Sequence, residues 1–200
     1  MSRYFPAGSR PLLRKSPLVL GAGDRGDNQH LHPGRSLEEV APVLGLYYRA
    51  LSGRNAALLA DGSEGDPERY PDTHTTIRLP SRVARFILGS DNFEWYKAAL
   101  THRAAHYAAG TFDFDLEAFF KLFALRELAI EVFTVLEALR VDEWAKRRYP
   151  GLAGKYALVQ RNALGERADY LASRSPRDAL AEVLIQASLG ADTYAVPALL

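Results

Sequence analysis

The segment Ala99–Phe112 reads ALTHRAAHYAAGTF, and its alanines around two histidines four residues apart set the reading of the whole chain. Alanine is the strongest helix former and adds almost no bulk, so this stretch predicts a helix that neighbours can approach closely. Positions four apart share a helical face, which puts the imidazoles of His102 and His106 side by side. Trp95, Ala98 and Ala99 extend that face in one direction and Ala109 in the other, so the pair points into the protein.

Two histidines at this spacing are part of the HExxH pattern with which zinc peptidases hold their metal. The residue after the first histidine is Arg103, where that pattern has its glutamate. Arginine, with a pKa above about 12, cannot accept a proton from metal-bound water. The ligand spacing is kept and the base is lost.

A third ligand of the glutamate type is expected on a later helix, in apolar surroundings. Glu137 fits, on a stripe with Ile130, Phe133 and Val141 in LRELAIEVFTVLEALRVDEW. A buried carboxylate there needs a metal, a cation or hydrogen-bond donors. Three readings stay open. His102, His106 and Glu137 bind zinc. Alternatively the centre is a metal-free network in which Glu137 accepts from Arg103, Arg140 or a histidine, with Asp142 close by. The third is a hydrolase that uses another base, Asp142 or Glu143. Glu137 and Arg140, three apart, also fit an ordinary surface pair.

The chain has 200 residues, 48% hydrophobic and 24% charged, which is enough for one globular core. No cysteine is present, which rules out disulfides, thiolate nucleophiles and cysteine-held zinc and fits a cytoplasmic setting. A formal charge of +1 gives no reason to expect nucleic acid as a partner. The basic N-terminal stretch is broken by Arg14, Lys15 and prolines before it can form a signal-peptide core, and no run reaches the roughly 18–20 apolar residues of a membrane span. Residues 1–35 hold four prolines, five glycines and six Lys/Arg against two Asp, the composition of a flexible basic arm.

Order is expected from residue 36 to 200, in a mainly α fold with one short strand or small β element and a degenerate zincin-like core. Ser36 and Glu39 form a capping box for a first helix through Leu37, Val40, Leu44 and Tyr47, with Pro42 inside it. TTIRLP alternates as a strand up to Pro80. Helical periodicity then places segments near 81–88, 92–109, 115–123, 125–148 and 151–172, and a last one after Ser175 that stops before Gly190. In WAKRRYPGL, the residues Trp144, Lys146, Arg147, Arg148 and Tyr149 have the composition of a protein-contact surface. The apolar ending TYAVPALL suggests a piece of a longer polypeptide.

Taken in order, DTHTTIRLPSRVARF, NFEWYKAALTHRAAHYAAGTFDF and EVFTVLEALRVDEWAKRRYPGL resemble the N-terminal region of NorD/CbbO-type proteins, over about residues 72–152. The resemblance implies a von Willebrand factor A domain beyond residue 200 and a hexameric AAA+ ATPase of the MoxR class as partner. It also implies a chaperone-like role in activating a target enzyme, Rubisco in one branch and nitric oxide reductase in the other. The chain itself has neither a DxSxS adhesion-site motif nor a GxxxxGK[ST] phosphate loop, so it is expected to be a non-catalytic adaptor. The alternative is a zinc-dependent hydrolase on His102, His106 and Glu137.

Overall fold

The computed structural model describes residues 34–60, 75–167 and 176–191. The expected arm lies almost entirely outside these residues, as do the apolar ending and the Ser175 cap.

Helix α1, Leu37–Ser52, starts where Ser36 accepts a hydrogen bond from the Glu39 amide at 3.3 Å, the first half of the expected capping box. It stops at Gly53, whose φ of 68° is a left-handed turn that costs glycine little. Pro42 sits inside the helix, and one helical turn is left without its donor. Leu37, Leu44 and Tyr48 form its buried stripe.

Four short strands follow the expected pattern only in part. β3, Thr76–Leu79, is the predicted IRL strand, with Ile77 and Leu79 buried. It pairs in parallel with β2, Ala57–Ala60, part of which had the composition of a loop. β1, Arg35–Ser36, pairs antiparallel with β4, Arg82–Val83. Ordered pairing therefore already includes Arg35, the last residue assigned to the arm.

The expected helix at 81–88 does not form. Arg82 and Val83 are committed to β1, and the segment after them is fixed by one side chain on the next helix. Asn92 Oδ1 accepts from the amides of Arg85 and Phe86 at 2.8 and 2.9 Å, and its Nδ2 donates to Phe86 O at 2.9 Å. A side-chain amide that satisfies three backbone groups outcompetes local helical hydrogen bonds.

Helix α2, Gly89–Ala108, is the centre of the fold. Every residue from Ala98 to His106 is buried, so the helix has no solvent face over two and a half turns. α1 packs on one side of it, and α4 (Arg126–Arg148) and α5 (Pro150–Gly165) on others. Trp95, Tyr96, Ala99 and Leu100 join the α1, β3 and β4 side chains in the main core. Tyr96 donates to Pro80 O at 2.9 Å and ties α2 to the strand segment. Thr101 gives its proton to Lys97 O at 2.8 Å, so Tyr47, 2.6 Å from Thr101, is the donor in that pair and links α1 to α2.

The short helix α3, Leu116–Phe120, is capped by Asp115, and α6, Pro176–Ser188, packs on α4. α5 is shorter than expected and ends at Gly165. A bidentate pair then joins Arg167 to Glu182 of α6 at 2.8 and 2.7 Å. Among the described residues no helix is long and apolar enough to cross a membrane.

Asn92→Ala removes four part-buried hydrogen bonds to the backbone, one of them to Leu88 O at 3.4 Å, and leaves backbone groups without partners, which is expected to cost about 2–4 kcal/mol. The check is the urea midpoint against wild type. A loss below about 0.5 kcal/mol, the range of a neutral surface change, contradicts this account of the 84–88 turn.

Candidate functional site

The two histidines lie inside, as their helical face predicts, on the side of α2 that meets α4. Both are buried, and their Nε2 atoms face each other at 3.1 Å. The rings stand nearly perpendicular, at 87°. Each outer nitrogen then meets a polar group from a different element.

His102 Nδ1 lies 2.5 Å from Asp142 Oδ1 on α4. Asp142 is buried and also accepts from Tyr156 at 2.5 Å and from Gln160 at 3.0 Å, both on α5. Tyr156 and Gln160 are one helical turn apart, which directs both at the same carboxylate. Burial and the neighbouring Asp142 hold the Tyr156 hydroxyl well above the ordinary tyrosine pKa, so it remains a donor.

His106 Nδ1 lies 3.0 Å from Thr111 Oγ1. The backbone makes this possible. Gly110, at φ 78°, reverses the chain after α2, and the Thr111 amide returns to His106 O at 3.0 Å, as in a Schellman cap. A side chain at position 110 would be strained by that φ and would meet the Asp113 carboxylate at 2.8 Å. Thr111 in turn donates to Glu137 Oε1. Arg140, one turn along α4, grips both oxygens of Glu137 at 2.6 Å and donates to Ala109 O at 3.0 Å. The Glu137 hydrogen bond is the main cause that raises the Arg140 pKa.

The proposed zinc set is therefore not assembled. Glu137 is buried, as expected, but Thr111 stands between it and His106, and Arg140 takes its charge. Among the described residues no three His, Asp or Glu side chains come together in a group able to hold a metal ion. Zinc needs three or four donors at about 2.0–2.2 Å. Here two nitrogens converge, Asp142 meets His102 at its other nitrogen, and Glu137 is reached through Thr111.

A proton count shows what the centre needs. Four links join Asp142, His102, His106, Thr111 and Glu137, and each requires one hydrogen. Two neutral imidazoles and one hydroxyl bring three, and ionised carboxylates bring none. Burial, then the charges of His102, Arg103 and Arg140, push the His106 pKa well below 6.5, so His106 stays neutral. Thr111 donates to Glu137, so His106 Nδ1 is the donor to Thr111, and its Nε2 accepts from His102. The fourth hydrogen lies in the contact between His102 and Asp142. The charge of Glu137 is balanced by Arg140.

Arg103 is buried and lowers the proton affinity of His106, and it is not the partner that grips Glu137. Glu143 pairs with Lys146 at 2.7 Å. Trp144 is half-buried against Ala105, Val141 and Ala145. It also meets Tyr149 edge to face, while Arg147 and Arg148 are exposed. Thr111, Tyr156 and Gln160 did not emerge from the sequence as site residues. Gly110 as a left-handed stop and the Tyr156/Gln160 spacing are the signals that could have found them.

No protein-family model, curated protein or solved structure matches the chain.

Two expectations follow. Asp142→Ala strands three buried donors and is expected to cost about 3–5 kcal/mol, as for a broken buried ion pair. Glu137→Ala leaves Thr111 without its acceptor, but the Arg140 side chain is 47% exposed and can turn into water, so about 1–3 kcal/mol is expected. Denaturant midpoints that reverse this order contradict the network. The second concerns pH. A depressed folded pKa at His106 contributes stability at and above the unfolded value of about 6.5, and this is lost on acidification. Below about pH 6.5 the unfolded chain binds a proton at His106 that the fold refuses, so stability falls by up to about 1.4 kcal/mol per pH unit. The check is the unfolding free energy of wild type and His106→Gln from about pH 7.5 to 5.5. Equal slopes for the two proteins contradict a neutral buried His106.

Proposed function

We propose that the chain is a non-catalytic adaptor domain that links a MoxR-class AAA+ ATPase to a target enzyme in the cytoplasm. The target is Rubisco or nitric oxide reductase, as the NorD/CbbO resemblance implies. One observation carries this reading. The segments that hold the resemblance, THR..H...GT and LE.LRVD, are distant in sequence but exchange the buried bonds His102–Asp142 and Thr111–Glu137. The parts of the chain that carry the likeness thus form one buried unit, which supports reading them together.

The chemistry of the centre supports a positioning role. Asp142 accepts from three buried groups, Glu137 is neutralised by Arg140, and the position of a peptidase base is the cation Arg103. Most of the accepting positions of both carboxylates are taken by hydrogen bonds within the protein. What the network does offer is a fixed relation between α2, α4 and α5, which suits a domain that transmits force between neighbours.

The test is co-expression of the full-length protein with a MoxR-class ATPase that carries the only affinity tag. Co-elution of the untagged protein with the hexamer in the presence of ATP is expected. If the protein stays in the flow-through with ADP and with ATP, the adaptor reading fails. Metal content measured on the same untagged protein tests the hydrolase alternative. About one zinc per chain, together with peptide cleavage by Arg103→Glu, would favour that alternative. The network predicts instead that Arg103→Glu lowers the unfolding midpoint with or without added zinc, because it exchanges a buried cation for a buried carboxylate.

A further inference from the structure

Independently of the proposed function, the two ends of α4 carry surfaces of opposite character. At its N-terminal end, residues 121–127 are exposed one after another. Leu122 is 80% exposed and Leu125 69%, with Phe114 at 47% and Phe123 at 44%. This is not a loose loop. Phe119 lies beneath it, with ring centroids 5.2 Å from Phe123 and 5.7 Å from both Phe114 and Phe133, so the apolar surface rests on an interlocked aromatic bed. Exposed apolar residues collected in one place, in contrast to single ones, mark contact sites. The rim is acidic. From Asp113 to Glu131 there are five Asp/Glu and two Lys/Arg, which gives 2 − 5 = −3, in a chain whose net charge is +1.

The C-terminal end is basic and aromatic. Lys146 is paired with Glu143, but Arg147 and Arg148 are exposed, and Arg148 lies over Tyr149 with its guanidinium carbon 5.4 Å from the ring centroid. Tyr149 stacks edge to face on Trp144 at 6.1 Å. Arginine and large aromatics are the side chains most enriched among interface anchors. An acid-rimmed apolar bed at one end and arginines on aromatics at the other are complementary in charge and in kind.

They cannot meet within one molecule. The 23 residues of Arg126–Arg148 form one helix, so the two surfaces are separated by about 33 Å of rigid rod. We infer that the bed around Leu122 and Leu125 receives the Trp144–Tyr149 end of a second copy of this chain. The contact is head to tail, with different surfaces on each partner, so it leaves one of each free and can extend.

Sedimentation velocity on the full chain at rising concentration tests this, with two variants. Leu122→Asp/Leu125→Asp removes the bed, and Arg147→Glu/Arg148→Glu removes the basic end. All four positions are exposed, and unchanged circular dichroism and melting temperature establish that both variants are folded. Wild type is expected to associate with concentration and to dissociate in high salt. Each variant alone is expected to be monomeric, and an equal mixture to form dimers and nothing larger, because one intact bed then meets one intact basic end. A monomeric wild type overturns the inference, and so does a mixture that stays monomeric. Association of the arginine variant equal to wild type also overturns it, since the bed would then pair with itself or with another segment.

Discussion

The contact between His102 and Asp142 is where α2, α4 and α5 are held to one another. It joins α2 to α4 directly, and through Tyr156 and Gln160 the same carboxylate holds α5. Trp95, Tyr96 and Leu100 anchor the first part of α2 in the main core, but around the histidines its non-polar side chains are Ala98, Ala99, Ala104 and Ala105, which offer little shape for neighbours to interlock with. The polar links supply specificity there. A buried carboxylate with three donors has one arrangement in which all are satisfied, and every rotated packing leaves a donor or a charge stranded.

The second half of the centre is linked to the first through hydrogen-bond direction. Thr111 donates to Glu137, so a neutral His106 gives its Nδ1 hydrogen to Thr111 and accepts at Nε2 from His102. His102 Nδ1 in turn meets Asp142, which Tyr156 and Gln160 hold in place. From there the direction of each bond follows, through His106 and Thr111 to Glu137. Arg140 ends the series at the surface, where its partly exposed guanidinium can be hydrated.

Much of this was legible in sequence wherever a periodic pattern fixed a face. The helical spacing of His102 and His106, the apolar stripe around Glu137 and the Ser36 cap all depend on local geometry, and the structure places them accordingly. The failures lie where a distant partner decided. The residues after Ser81 have helical periodicity, yet β1 and the Asn92 side chain claim their backbone groups first. β2 is too short to show alternation, and its partner β3 is distant in sequence. Glu137 was read as buried, and Arg140, one of the donors named for it, does grip it, whereas His106 reaches it through Thr111. Spacing along α4 gives its face, but only the turn at Gly110 reveals that Thr111 comes between it and the histidines.

Arg103 shows why residue type outweighs spacing in judging such a centre. A glutamate at this position would add a negative charge to a buried centre that already holds Asp142 and Glu137. Recruiting a metal dication would then be the natural way to restore neutrality. With arginine the balance lies the other way, and its charge is among those that keep His106 neutral. A neutral His106 accepts at Nε2 and donates at Nδ1, whereas an imidazolium there would turn an N–H toward the His102 Nε2 that has to donate across the gap. The same two histidines at the same spacing can thus serve as ligands or as links in a hydrogen-bonded core, and the charge beside them selects which.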